Sequence, residues 1–112
     1  MNQGEIWIIN LDPTLGAEIR KKRPAIIVND DEIGRLPLKV IVPLTDWKDS
    51  YDNAPWMVKI EPDNINNVTK ISSVDCFQIR SLSETRFIRM VGKVNERTLE
   101  KIKFALRTVL TL

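Results

Sequence analysis

The chain has 112 residues, 43% of them hydrophobic and 29% charged, which suits one globular domain over residues 1–112 and leaves no room for a second. Seventeen Lys and Arg against fifteen Asp and Glu give a net charge of +2, which excludes a polycation that coats nucleic acid by bulk charge. There is no histidine, so the imidazole-dependent nucleophilic systems and the commonest metal ligand are excluded as well.

In chain order, Glu5 to Leu11 (EIWIINL) is nearly continuous apolar sequence and predicts a buried strand. Asp12-Pro13-Thr14-Leu15-Gly16 then supplies turn residues. Pro24 to Asn29 (PAIIVN) is short and β-branched, a second strand ended by Asp30-Asp31-Glu32 and Gly34. Leu38 to Thr45 (LKVIVPLT) predicts a third strand. Its Pro43 lacks a ladder donor and marks an edge, a bulge or the strand's exit.

Beyond a polar loop, Trp56, Val58 and Ile60 alternate with Met57, Lys59 and Glu61, a fourth strand with one face toward the core. Ser73 to Ser81 and Arg86 to Val94 predict two more, separated by a turn at Ser83-Glu84. From Asn95 the period changes: Leu99, Ile102, Leu106 and Val109 recur at helical spacing, with Ala105 and Leu110 beside them. Asn95 suits the N-cap and Glu96 the first turn. The expected fold is mainly β (α+β), a small barrel or strongly bent antiparallel sheet with a C-terminal amphipathic helix.

The single cysteine, Cys76, excludes an internal disulfide and a Cys-cluster zinc site. With no apolar run near the ~20 residues of a membrane span and no signal-like N-terminus, the expected location is cytoplasmic, away from membranes. Charge is locally uneven. Glu18, Arg20, Lys21, Lys22 and Arg23 sum to +3, Asp46 to Asp63 to −3, and Arg80 to Arg107 to +5. Such runs serve as solvated faces or as anion sites.

Pro24 sets Arg23 extended at the start of a strand, where a guanidinium suits the paired oxygens of a phosphodiester or pairs with a carboxylate such as Glu18. Thr45 stands where the third strand exits and offers either a hydroxyl to the same mouth or a turn-forming group. Trp47 and Tyr51 lie among charges, where they stack on unpaired bases or pack as a lid.

Gly16-Ala17-Glu18, then Arg23-Pro24-Ala25-Ile26-Ile27-Val28, then Val40-Ile41-Val42-Pro43-Leu44-Thr45, then Asp75 to Leu82 (DCFQIRSL) resemble the MazF/PemK-like toxin family in order and spacing, as do Gly4-Glu5-Ile6-Trp7 and Asp12-Pro13. The resemblance covers nearly the whole chain. It implies an SH3-like barrel of the CcdB/MazF kind and a sequence-specific endoribonuclease that needs no metal or other cofactor. It further implies a homodimer acting on single-stranded RNA, restrained by a cognate antitoxin with an acidic segment.

The match carries the family's catalytic arginine and threonine to Arg23 and Thr45. It also brings an acidic loop position to Glu18 and substrate-side positions to Ser72 and Gln78. Arg20, Lys21, Lys22 and Trp47 complete the expected RNA-binding set. Such an enzyme lets the RNA's own 2′-OH attack phosphorus, leaving a 2′,3′-cyclic phosphate and a 5′-OH, while cations stabilise the anionic transition state. The proton acceptor stays open between Arg23 and Glu18, because a guanidinium is almost wholly protonated at neutral pH.

The chain departs from the family at Ile19-Arg20-Lys21-Lys22, where many relatives carry a Gln-x-Gly-like stretch. Two other readings use the same barrel. One is a gyrase poison like the CcdB-like toxins, whose Trp-Gly-Ile ending differs from Val109-Leu110-Thr111-Leu112 here. The other is a nonenzymatic RNA-binding barrel.

Overall fold

The computed structural model describes residues 1–33 and 36–112; Gly34, read above as part of the turn after the second strand, lies outside the described residues. Among the described residues seven strands form, β1 Glu5–Asn10, β2 Lys22–Ile27, β3 Leu38–Asp46, β4 Met57–Ile60, β5 Ser72–Asp75, β6 Arg80–Ser83 and β7 Phe87–Lys93, followed by helix α1, Glu96–Leu110. All pairings are antiparallel, in the order β4-β5-β3-β2-β1-β7, with β6 also paired to β3. The sheet bends strongly and does not close, since β4 and β7 end the order without pairing with each other.

The long strand β3 organises the sheet. Along one edge, residues 41–43 pair with β2; along the other, residues 38–41 pair with β6 and residues 44–46 with β5. Pro43 sits in the seam between the β6-paired and β5-paired stretches. The Val28 N–H to Val40 O bond fixes the alternation so that the nitrogen of Pro43 faces that seam, where no ladder donor is missed.

Alternation along β1, β2 and β3 divides the apolar residues between two clusters. Ile6, Ile26, Val42 and Leu44 join Val58, Ile60, Val74 and the helix residues Leu99, Ile102 and Ala105 in one. Ile9, Leu11, Ala25, Ile27, Ile41 and Leu82 form the other. Asn95 caps the helix as expected, its side chain accepting from Thr98 N at 2.8 Å. The buried helix face is Leu99, Ile102 and Ala105, whereas Leu110 is exposed.

Three local expectations change. The strand expected over Ser73 to Ser81 is two strands flanking a 3-10 turn, Cys76–Gln78, because the Asp75 side chain accepts from Phe77 N and curls the chain there. β2 starts at Lys22 rather than Pro24, since Asn10 and Ile9 of β1 pair with Lys22 and Arg23. Trp56 lies outside β4 and is exposed, edge-on to Phe77 with centroids 6.1 Å apart, so Val58 and Ile60 carry the core face without it.

The gap between β4 and β7 is spanned by the loop 61–71. Lys93 N donates to Ile65 O at 3.1 Å, and Asn67 Nδ2 donates to Val91 O at 3.1 Å. Gly92 makes this approach possible, because a Cβ there would lie 2.6 Å from Ile65 O and collide with the Asn66 backbone. No described helix is long and apolar enough to cross a membrane.

Candidate functional site

A cleft of about 700 Å³ opens where β2 and β3 part. The β2–β3 ladder ends at Ala25 opposite Pro43, and the strands run on to Arg23 and Thr45, which both line the cleft. Pairing fixes the backbone of each residue from its other side: Arg23 lies opposite Ile9 and Thr45 opposite Ser73. Arg23 is half-buried, its Nε donating to Arg20 O at 3.4 Å, which leaves the terminal nitrogens of the fork for a ligand.

Lys21, Lys22, Lys70 and Arg89 line the same cleft, with Asn67, Thr69, Asp46 and Ser72 among its polar groups. The sheet thereby gathers five cationic side chains around one hydroxyl-bearing strand end. Asp46 is the carboxylate in this lining; it pairs with Lys70 at 2.8 Å. That hydrogen-bonded ammonium holds Asp46 below the ordinary carboxylate range, with Arg23 and Lys48 adding to the pull. Ser72 is buried and its Oγ donates to Lys70 O at 2.9 Å.

Other expected site residues lie elsewhere. Glu18 and Gln78 line a second, smaller cleft with Ala17, Phe77, Ile79 and Arg80. Glu18 accepts from Leu15 N at 2.5 Å. Gln78 is a bridge: its Oε1 accepts from Ile19 N at 2.6 Å and its Nε2 donates to Asp75 Oδ2 at 3.1 Å. Arg20 is exposed and lends Arg23 its carbonyl. Trp47 does not line either cleft; its ring meets Tyr51 edge-on at 5.7 Å, with the Lys59 ammonium 5.1 Å from the centroid.

Residues the sequence reading passed over are Asp46, Asn67, Thr69, Lys70 and Arg89. Asp46 and Arg89 entered only charge sums, and the stretch holding Asn67, Thr69 and Lys70 carries only a glycosylation-like Asn67-Val68-Thr69 pattern, a chance match in a chain expected in the cytoplasm. The pairing of Asp46 with Ser72 brings that stretch to the strand end that carries Thr45.

Burial pushes the Cys76 thiol up to about 12, so it stays protonated at neutral pH and is no nucleophile. Among the described residues no group of three or more Asp, Glu or Cys gathers as a metal site.

A profile of the PemK-like, MazF-like toxins of type II toxin–antitoxin systems matches residues 2–110. The chain belongs to this toxin family. Endoribonuclease MazF9 of Mycobacterium tuberculosis (strain ATCC 25618 / H37Rv) is 31% identical over 124 aligned residues, covering 100% of this chain and 98% of the relative. Endoribonuclease PemK of Escherichia coli is 31% identical over 113, covering 99% and 83%.

Among solved structures, MazF from Deinococcus radiodurans superposes with a TM-score of 0.82 at 21% identity, covering 100% of this chain and 97% of that one. A mycobacterial endoribonuclease in complex with its cognate antitoxin gives 0.80 at 23%, covering 100% and 96%. The fold of the MazF toxins is therefore the fold of this chain, with Arg23 and Thr45 at one cleft of it.

Proposed function

We propose that this chain is the toxin of a toxin–antitoxin pair and a sequence-specific endoribonuclease that cuts single-stranded RNA without metal. The observation that carries the reading is the meeting of Arg23 and Thr45 in a cleft ringed by Lys21, Lys22, Lys70 and Arg89, in a chain whose curated relatives are endoribonucleases.

A scissile phosphodiester seated there receives the free nitrogens of Arg23 and the hydroxyl of Thr45 on its non-bridging oxygens. As the substrate's 2′-O bonds to phosphorus, negative charge grows on those oxygens and both interactions strengthen. The P–O5′ bond breaks, O5′ leaves with its electron pair and takes up a proton, and the 2′-OH proton passes to a base. The products are a 2′,3′-cyclic phosphate and a 5′-OH. For Glu18 to be that base, the loop 12–21 has to carry it out of the second cleft and break its bond to Leu15 N.

The lysines and arginines of the lining also suit an acidic antitoxin segment that orders on the cleft and competes with RNA. The reading places the protein in the cytoplasm as a homodimer, which gives exposed apolar residues of β7 such as Ile88 and Met90 a partner.

Incubation with single-stranded RNA in excess EDTA tests the proposal. Cleavage with cyclic-phosphate and 5′-OH ends is expected, with Arg23→Ala lowering the single-turnover rate by about 10²- to 10³-fold or more, the scale of one lost oxyanion donor. RNA retained uncut by both proteins would favour the binding barrel instead. A wild-type rate in Glu18→Gln would remove Glu18 from the mechanism.

A further inference from the structure

The loop 61–71 supplies Asn67, Thr69 and Lys70 to the Arg23 cleft, and it is built as a fixed platform. Asn66, buried at 3% exposure, accepts through Oδ1 from Asp63 N at 3.0 Å and Val68 N at 3.1 Å, and donates through Nδ2 to Glu61 O at 2.9 Å. Asp63 Oδ1 accepts in turn from Ile65 N and Asn66 N. The close approach at Gly92 and the Asn67 bond to Val91 O lock the platform against β7.

From this platform Lys70 reaches Asp46 at 2.8 Å, with both side chains more than half exposed. An ion pair so open to water contributes little to stability. It also puts a carboxylate among cations that would otherwise all attract a phosphate. The pair makes sense as an occupied anion site: Asp46 holds in the free protein the place that a polyanion takes when bound.

We propose that Lys70 is a phosphate-binding residue for a nucleotide neighbouring the one held at Arg23, and that Asp46 is its exchangeable counterion, displaced from Lys70 when RNA binds. The inference rests on the RNA-cleaving reading of the cleft. Asp46 thereby keeps Lys70 aimed into the cleft before substrate arrives and subtracts from affinity when it does. The cationic pull that lowers the Asp46 carboxyl keeps it charged, and so competitive, throughout the neutral range. Lys48 and Arg23 also act on Asp46, so general repulsion of RNA by Asp46 has to be separated from exchange at Lys70.

A double-mutant cycle makes that separation. Affinity is measured by fluorescence anisotropy on the full chain, with a short RNA spanning a mapped cleavage site and 2′-O-methylated at the cut nucleotide so that it survives. Lys70→Met is expected to weaken binding several-fold and to reduce the slope of log K against log salt by about 0.7, the value for one phosphate on a single strand. Asp46→Asn is expected to tighten binding several-fold, and that gain is expected to vanish when Lys70 is already Met. Circular dichroism verifies that each variant is folded.

An unchanged affinity and salt slope in Lys70→Met overturns the proposal. So does an Asp46→Asn gain that persists without Lys70, which would make Asp46 a general repeller. Failure of the underlying reading shows separately, as a wild-type protein that neither binds nor cuts RNA, or as an Arg23→Ala variant that cuts at the wild-type rate.

Discussion

Two loops flank the cleft that holds Arg23 and Thr45, and they are held in different ways. The loop 61–71 is fixed from within by a buried asparagine and from outside by a glycine that admits its backbone against β7. The loop 12–21 is tied at its base, where Leu11 N donates to Lys21 O and Lys21 N to Asp12 Oδ1. Its tip folds on itself through Leu15 and Glu18, leaving Leu15 82% exposed. One hydrogen bond among the described residues, Ile19 N to Gln78 Oε1, ties the tip region to the 3-10 turn after β5. The first loop is joined to the sheet through its backbone, whereas beyond its base the second rests on it through that bond and the Ile19 side chain packed against the Ile9 cluster, so it has fewer contacts to break on local opening.

The largest expected effect breaks the rigid side of that comparison. Gly92→Ala places a Cβ 2.6 Å from Ile65 O, with backbone rather than a flexible side chain as its neighbour. Either β7 or the loop 61–71 has to move. A loss of about 3 kcal/mol in urea unfolding is expected, at the upper end for overpacked sites, together with reduced RNA cleavage because Asn67, Thr69 and Lys70 shift. Unchanged stability would mean that the loop does not rest on β7 as described.

Asn66→Ala tests the same loop from inside. It leaves the Asp63 and Val68 amides and the Glu61 carbonyl without their side-chain partner, and a loss of about 2 kcal/mol is expected. Asn66→Asp keeps the acceptor but loses the donor to Glu61 O and buries a charge, so it is not expected to rescue.

Neither Gly92 nor Asn66 stands out in the sequence, because the role of each is created by the loop 61–71 folding onto β7. Strands β1 to β3 and the helix follow from apolar period and capping, because in each the local pattern and the buried face agree. The break at Cys76–Gln78 did not, since Val74, Cys76 and Phe77 are all acceptable strand residues and the turn is made by one side-chain bond from Asp75. Motif order singles out Arg23 and Thr45, and the fold brings both to one cleft. Lys70 was not legible in the sequence, because its place beside Asp46 is created by β3–β5 pairing across an intervening strand. Likewise Gln78 reads as a substrate contact from its motif, while its amide is engaged by Ile19 and Asp75 in the free protein.

Gln78→Ala therefore sharpens the other side of the comparison. Removing the two hydrogen bonds of this partly buried amide, with Ile19 N and Asp75 Oδ2, is expected to lower global stability by about 1.5 kcal/mol. Hydrogen exchange at Ile19 should accelerate well beyond what that loss produces at β3 amides, with Asn66 amide exchange tracking the global value. Equal acceleration in both loops would make the two one cooperative unit.

The smallest effect concerns the group behind Gln78. Asp75 is buried, and burial raises its carboxyl above the ordinary value of 3.8, with the Phe77 and Gln78 hydrogen bonds opposing but not cancelling the shift. A raised carboxyl favours the protonated form in the folded protein. Its contribution is therefore complete below the unfolded value and is lost as pH rises through the folded one. Asp75→Asn removes the buried charge and can still accept from Phe77 N, but loses the second oxygen that receives Gln78 Nε2 at 3.1 Å. Gln78 cannot rotate its amide to compensate while its oxygen is held by Ile19 N. The two changes oppose each other, so the net shift at pH 7 is expected to stay within about 1 kcal/mol. The pH trend separates them: between pH 4 and pH 7 the wild type should lose stability relative to Asp75→Asn in urea unfolding. A relative gain over that range would mean that the hydrogen bonds to Asp75 outweigh its burial, and that Gln78, which holds the loop 12–21 at Ile19, is itself held by a carboxylate stabilised in its charged form.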